Sequence, residues 1–123
     1  MPDATALPVT EHDTFAHVIA DLDGVGSGAL RDAGLLSGLL IAAAGAAGLN
    51  AAGAPIVRTA PTGGVSAVLL LDPCHVSIHS LPDRGLALVE VLAPDVALAT
   101  NALDVFVRRL APTTVTSDTR IRG

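Results

Sequence analysis

The chain of 123 residues has no lysine, no tryptophan and no tyrosine, and a single cysteine, Cys74. Without lysine it forms no side-chain Schiff base and holds no pyridoxal phosphate through one, which removes the commonest decarboxylase and aldolase chemistry. Phe15 and Phe106 are its only aromatic residues, so it offers few ring faces on which a nucleic-acid base stacks. Its 7 basic residues, all arginine, stand against 12 acidic ones for a net charge of -5, which repels phosphate backbones and anionic lipid headgroups. Nucleic acid is not an expected partner. One cysteine makes no internal disulfide, which points to a reducing cytoplasm. The start Met1-Pro2-Asp3 has neither the basic beginning nor the apolar run of an export signal.

What is present is apolar chain. Half of the residues are hydrophobic and 15% are charged, enough for one sizeable core of Val, Leu and Ala in one domain. Residues 1–13 read as a loose, proline-marked leader and residues 14–123 as the folded unit. Between Asp32 and Arg58 lie 25 uncharged residues, and Gly34-Leu35-Leu36-Ser37-Gly38 has the spacing of membrane helix pairs. That run is mostly Ala and Gly, contains Asn50 and Pro55, and lacks aromatic anchors. A buried helix is therefore expected, and no membrane.

The pattern predicts a strand over Phe15–Leu22 ended by Asp23-Gly24, then a helix from about Ala29 to Leu49 with Leu35, Leu39, Ala42, Ala46 and Leu49 inward. Strands follow at Pro55–Thr59, Gly64–Asp72, Cys74–Ser80 and Leu86–Leu92, with Leu81-Pro82-Asp83-Arg84-Gly85 as a turn. Pro94 opens a second helix that runs to about Leu110, and Thr113–Thr119 closes as a strand. This order predicts an α+β, two-layer sandwich: a mostly antiparallel sheet with two helices on one face. The other face, if apolar, needs a partner, so a homodimer is expected.

Two stretches carry candidate chemistry. Asp21-Leu22-Asp23-Gly24, after an apolar strand, resembles the nucleophile motif of haloacid-dehalogenase-type phosphatases. The remainder of that pattern, a lysine and a downstream acidic pair, is missing, so a strand end with a turn is the better reading. Cys74-His75-Val76-Ser77-Ile78-His79 places half of the four histidines beside the only thiol. In strict alternation His75 and His79 share a face about 13 Å apart, too far for one metal ion. Cys74 and His79 fall on opposite faces about 16 Å apart, so they cannot meet within one chain, whereas a two-fold axis brings one protomer's His79 to the other's Cys74.

Phe15 to Gly24, Gly64 to Leu71, Cys74-His75-Val76-Ser77-Ile78-His79-Ser80-Leu81-Pro82-Asp83-Arg84-Gly85 and the Arg122-Gly123 ending together resemble the short bacterial S-adenosylmethionine decarboxylases. The resemblance implies a dimerising α/β sandwich that cleaves itself before a serine. An acyl shift and elimination then leave a pyruvoyl group, whose carbonyl captures the substrate amine and acts as the electron sink. This is how a protein without lysine decarboxylates an amino acid, feeding polyamine or related amine synthesis. By the resemblance, Cys74 takes the place of that serine and is the source of the pyruvoyl cofactor, with cleavage between Pro73 and Cys74. Ser66 and His79 take the places of the serine and histidine that assist processing. Asp21, Asp83 and His75 are the expected substrate-binding residues, the two aspartates as receivers of substrate cations.

The chain departs from the family at several of these positions. Cys74 replaces serine; an acyl shift onto sulfur is easy and elimination still gives pyruvoyl. Pro73 stands where the family has a glutamate, and Pro94 where it has a proton-donating cysteine. Ala60 falls near an adenine-stacking phenylalanine and Leu81 replaces a tryptophan, each change removing about 0.5–1.5 kcal/mol of π contact. A substrate smaller than S-adenosylmethionine fits that loss. The alternatives are an unprocessed relative using the Cys74 thiol with His79 for different chemistry, or a non-catalytic ligand-binding or regulatory dimer subunit.

Overall fold

A computed structural model describes residues 14–123, so the expected leader at 1–13 lies outside the described residues. In chain order the elements are β1 (Phe15–Asp23), α1 (Ser27–Leu30), α2 (Ala33–Ala46), β2 (Asn50–Ala51), β3 (Ile56–Thr59), β4 (Val65–Asp72), β5 (His75–Leu81), a 3-10 turn (Pro82–Arg84), β6 (Leu86–Ala93), α3 (Val96–Leu110) and β7 (Thr114–Arg122). All pairings are antiparallel, in the order β2-β4-β5-β6-β1-β7, with β3 also on β4. Helix α2 packs over β4 and β5, and α3 over β1 and β6. The sandwich is thus as expected, with three helices instead of two.

The sheet's inward face follows from period-2 alternation. Val18, Ala20 and Leu22 of β1, Val65, Ala67 and Leu69 of β4, Val76 and Ile78 of β5, and Val89 and Val91 of β6 are all buried beneath the helices. Residues between them face away from the helices. In α3 the buried residues Ala99, Ala102, Phe106 and Leu110 recur at helical spacing, and the largest of them, Phe106, is fully enclosed.

Four expectations about the elements are corrected. The first helix breaks at Arg31-Asp32, because the Asp32 carboxylate accepts from Leu35 N at 2.9 Å and starts a new helix there. Its buried set is Leu36, Leu39, Leu40, Ala43 and Ala44, whereas Ala42 and Ala46 are exposed. Two stripes satisfy the three-and-four spacing; the buried one places three leucines within the helix, whereas Leu49 of the other lies beyond its end at Ala46, so the buried stripe removes more apolar area from water. Similarly, α3 starts at Val96 with Asp95 as its cap, after Pro94, since the Asp95 carboxylate accepts from Leu98 N at 2.9 Å. Finally, β7 runs on to Arg122, because β1 offers it a full-length edge from Asp23 to Phe15.

Asp23-Gly24 is the strand end expected. Gly24 has φ +74°, and a Cβ there would lie 2.0 Å from Thr113 Oγ1, so only glycine lets the chain leave β1 beside the start of β7. One buried polar residue ties helix to sheet. Ser80 Oγ accepts from Val65 N at 2.8 Å and donates to Leu30 O at 2.7 Å. Ser80→Ala strands both backbone groups and is expected to lower stability by about 1–3 kcal/mol. In a thermal melt this reads as a Tm lowered by roughly 4–15 °C; an unchanged Tm would show that water replaces the hydroxyl. Among the described residues no helix is long and apolar enough to cross a membrane.

Candidate active site

On the helix-free face the strand registers set side chains in rows. One row runs Arg58, Ser66, His79, Leu88, Asp21, Thr116. The next runs Ile56, Val68, Ser77, Glu90, Ile19, Asp118, and a third Leu70, His75, Leu92, His17, Arg120. Beyond it Phe15 stands opposite Arg122. Five of the six expected site residues lie on or beside the first and third rows, whereas Cys74 lies past the end of the third.

Cys74 is not a strand residue. Strand β5 begins at His75, and Cys74 sits in the turn between β4 and β5 with φ +88°, its carbonyl accepting from Leu71 N at 2.9 Å. A positive φ at a residue with a Cβ costs about 1–3 kcal/mol, and it breaks the alternation that placed Cys74 opposite His79. The thiol shares a cavity of about 390 Å³ with Phe15, Pro73, Leu92, Arg122 and Gly123. Phe15, Leu92 and Arg122 belong to the helix-free face, so Cys74 opens on the same side as His79. Burial pushes its thiol pKa up, which favours the neutral form at pH 7.

Ser66 and His79 are cross-strand partners joined by a 2.5 Å hydrogen bond between Oγ and Nδ1. They line a separate cavity of about 320 Å³ with Ala60, Leu81 and Asp83. Five residues of extended chain, about 16 Å, separate this pair from Cys74. Asp83 is already engaged: Arg31 Nη2 donates to its Oδ1 at 2.8 Å, while Arg31 Nη1 donates to Thr62 O at 2.8 Å. Asp21 lies two strands from His79 in the same row, exposed.

His75 belongs to a network not anticipated from the sequence. Its Nε2 contacts Glu90 Oε1 at 3.1 Å, His17 Nε2 contacts Glu90 Oε2 at 2.8 Å, and Ser77 Oγ donates to Oε1 at 3.5 Å. Burial alone would raise the Glu90 pKa, but the hydrogen bonds and charges of His17 and His75 outweigh it and hold the carboxyl below its ordinary value. An ionised Glu90 accepts from both Nε2 atoms, which leaves Nδ1 of His17 on the side of the ring away from Glu90. Arg122 Nη1 lies 3.4 Å from that Nδ1. Alternation pointed to this network: His17 faces the same way as Asp21 on β1, and Glu90 is the one charge in the apolar stretch of β6. Among the described residues no group of three His, Cys, Asp or Glu side chains is placed to hold a metal ion.

The helix-backed antiparallel sheet defines the fold class on which this chain compares with known proteins. The family model described as S-adenosylmethionine decarboxylase matches residues 16–123. The chain is 32% identical over 108 residues to the S-adenosylmethionine decarboxylase proenzyme of Aquifex aeolicus, covering 87% of this chain and 79% of that one. It superposes on the crystal structure of an adenosylmethionine decarboxylase from that organism with a TM-score of 0.82 and 30% identity, over 89% of this chain and 90% of the other. It is also 38% identical over 76 residues, 61% of this chain and 54% of the relative, to an arginine decarboxylase proenzyme of Hyperthermus butylicus. The chain belongs to the S-adenosylmethionine decarboxylase family.

Proposed function

We propose that this chain is a self-processing, pyruvoyl-type decarboxylase of S-adenosylmethionine or a related amino acid, with Cys74 as the residue converted. The observation that carries the reading is the backbone at Cys74. A side-chain-bearing residue held at φ +88° directly after Pro73 stores strain beside the bond to be broken, as acyl-shift chemistry requires. The thiol attacks the Pro73 carbonyl carbon, a C–S bond forms, the Pro73–Cys74 C–N bond breaks, and the amine takes the proton. Loss of the Cα proton then expels sulfur from Cβ, leaving Pro73 as a thiocarboxylate. Addition of water and release of ammonia turn position 74 into a pyruvoyl group. The apolar walls of Phe15, Pro73 and Leu92 fit a keto group that must be kept from bulk water. When formed, the group supplies the electron sink that lysine-based chemistry would otherwise provide.

The same reading makes the site a shared one. The helix-free face exposes Ile19 at 49% and Leu70 at 54%, apolar surface that a second copy would cover. A two-fold axis near Ser77 and Glu90 sets one protomer's turn against the other's opposite row, so Cys74 meets the partner copy's Ser66-His79 pair. That pair is placed to take the thiol proton, a role the raised thiol pKa makes necessary. Ala60 and Leu81 leave the cavity beside the pair without a Phe, Tyr or Trp ring, which within this reading favours an amino acid smaller than S-adenosylmethionine. The test is intact mass. The purified protein is expected to give fragments 1–73 and 74–123, the second trapped by hydroxylamine; one full-length mass, indifferent to the reagent, sinks the reading.

A further inference from the structure

The Cys74 cavity contains one charged side chain, Arg122. Its surroundings differ from those of Arg31, whose guanidinium is neutralised by Asp83 at 2.8 Å. Among the described residues Arg122 makes no ion pair with a carboxylate; its side-chain contact is His17 Nδ1, 3.4 Å from Nη1. That ring is fixed from behind, since His17 Nε2 is engaged by Glu90 at 2.8 Å and Glu90 is held in turn by His75 and Ser77. An imidazole orients a guanidinium without cancelling its charge. Besides Gly123, the remaining walls Phe15, Pro73 and Leu92 are apolar and lower the local dielectric, which strengthens attraction for an anion. A positioned cation beside the reacting residue, not ion-paired to a carboxylate among the described residues, fits a carboxylate-bearing ligand.

We propose that Arg122 is the specificity residue that receives the α-carboxylate of the amino-acid substrate, with His17 as its positioning residue through the Glu90 network. This rests on the decarboxylase reading and names how that site selects an amino acid over an amine. The carboxylate departs as neutral carbon dioxide, so Arg122 stabilises bound substrate at least as well as the transition state. Its loss therefore acts on KM and spares kcat.

The experiment compares S-adenosylmethionine with its decarboxylated product on the parent protein, Arg122→Gln, Arg122→Lys and His17→Leu. Arg122→Gln is expected to raise KM for S-adenosylmethionine roughly 10- to 100-fold with kcat unchanged or higher, while the inhibition constant of the amine product moves less than about twofold. Arg122→Lys recovers part of the loss, and His17→Leu gives a smaller rise of the same selectivity, about three- to tenfold. Equal weakening of both ligands, or of neither, overturns the assignment. The parent's intact mass reports separately on the decarboxylase reading. If the parent is uncleaved, calorimetric titration of the same two ligands into the full-length chain decides Arg122: no preference for the carboxylate-bearing one overturns it.

Discussion

Cys74→Ala is expected to remain one uncleaved chain and to lose decarboxylase activity by at least about 10³-fold, because the shift has no nucleophile and position 74 no precursor. The loss should not come from unfolding. Cys74 is in a turn outside the buried core, so the Tm should stay within a few degrees, about the effect of a surface substitution. Cys74→Ser is the informative companion. It should cleave at the same bond and give a 74–123 fragment of the same mass as the parent's. Its 1–73 fragment should be lighter by the difference between sulfur and oxygen, because the elimination leaves a carboxylate where the parent leaves a thiocarboxylate. A Cys74→Ala protein that still breaks after Pro73, or still turns over substrate, would place the chemistry elsewhere.

The second large effect is rescue of activity by mixing. Cys74→Ala lacks the residue to be converted, and His79→Ala lacks the group that takes its proton. Each alone should be uncleaved and inactive. Their mixed dimer contains one site built from the His79→Ala protomer's Cys74 and the Cys74→Ala protomer's His79. With random pairing half the dimers are mixed and half their sites intact, so co-expression should restore cleavage and activity to about a quarter of the parent's. Rescue at that level requires the two residues to work across an interface. No rescue would mean that Cys74 and His79 cooperate within one chain, for which the roughly 16 Å between them leaves no room without rearrangement.

Alternation made the faces of the sheet legible. Val18, Ala20 and Leu22 face inward; Ser66 and His79 were named from the resemblance to the family, and they meet because both fall on outward positions of neighbouring strands. The same rule failed at Cys74, because a positive φ resets which way the next side chain points and no local pattern announces it. Helix α2 failed for another reason: with apolar residues on nearly every side, periodicity offers two stripes, and only packing against β4 and β5 selects one. Asp83 was legible as an acid near the site, whereas its ion pair with Arg31 spans 52 positions of sequence and depends on how α1 folds back on the 3-10 turn.

What the sequence determined by itself is chemical inventory and order. The absent lysine excluded one chemistry, the run of elements predicted a helix-backed antiparallel sandwich, and the stretch Cys74–Gly85 carried the resemblance to the family, because composition, period-2 spacing and motifs are local properties of the chain. Only the tertiary structure decided that Cys74 opens on the face of His79, that Glu90 gathers His17, His75 and Ser77, and that Arg122 stands in the Cys74 cavity. Those groups lie up to 105 positions apart. They meet only because β1 pairs with β6 on one side and β7 on the other, a choice made by burial of the opposite face, beneath the helices.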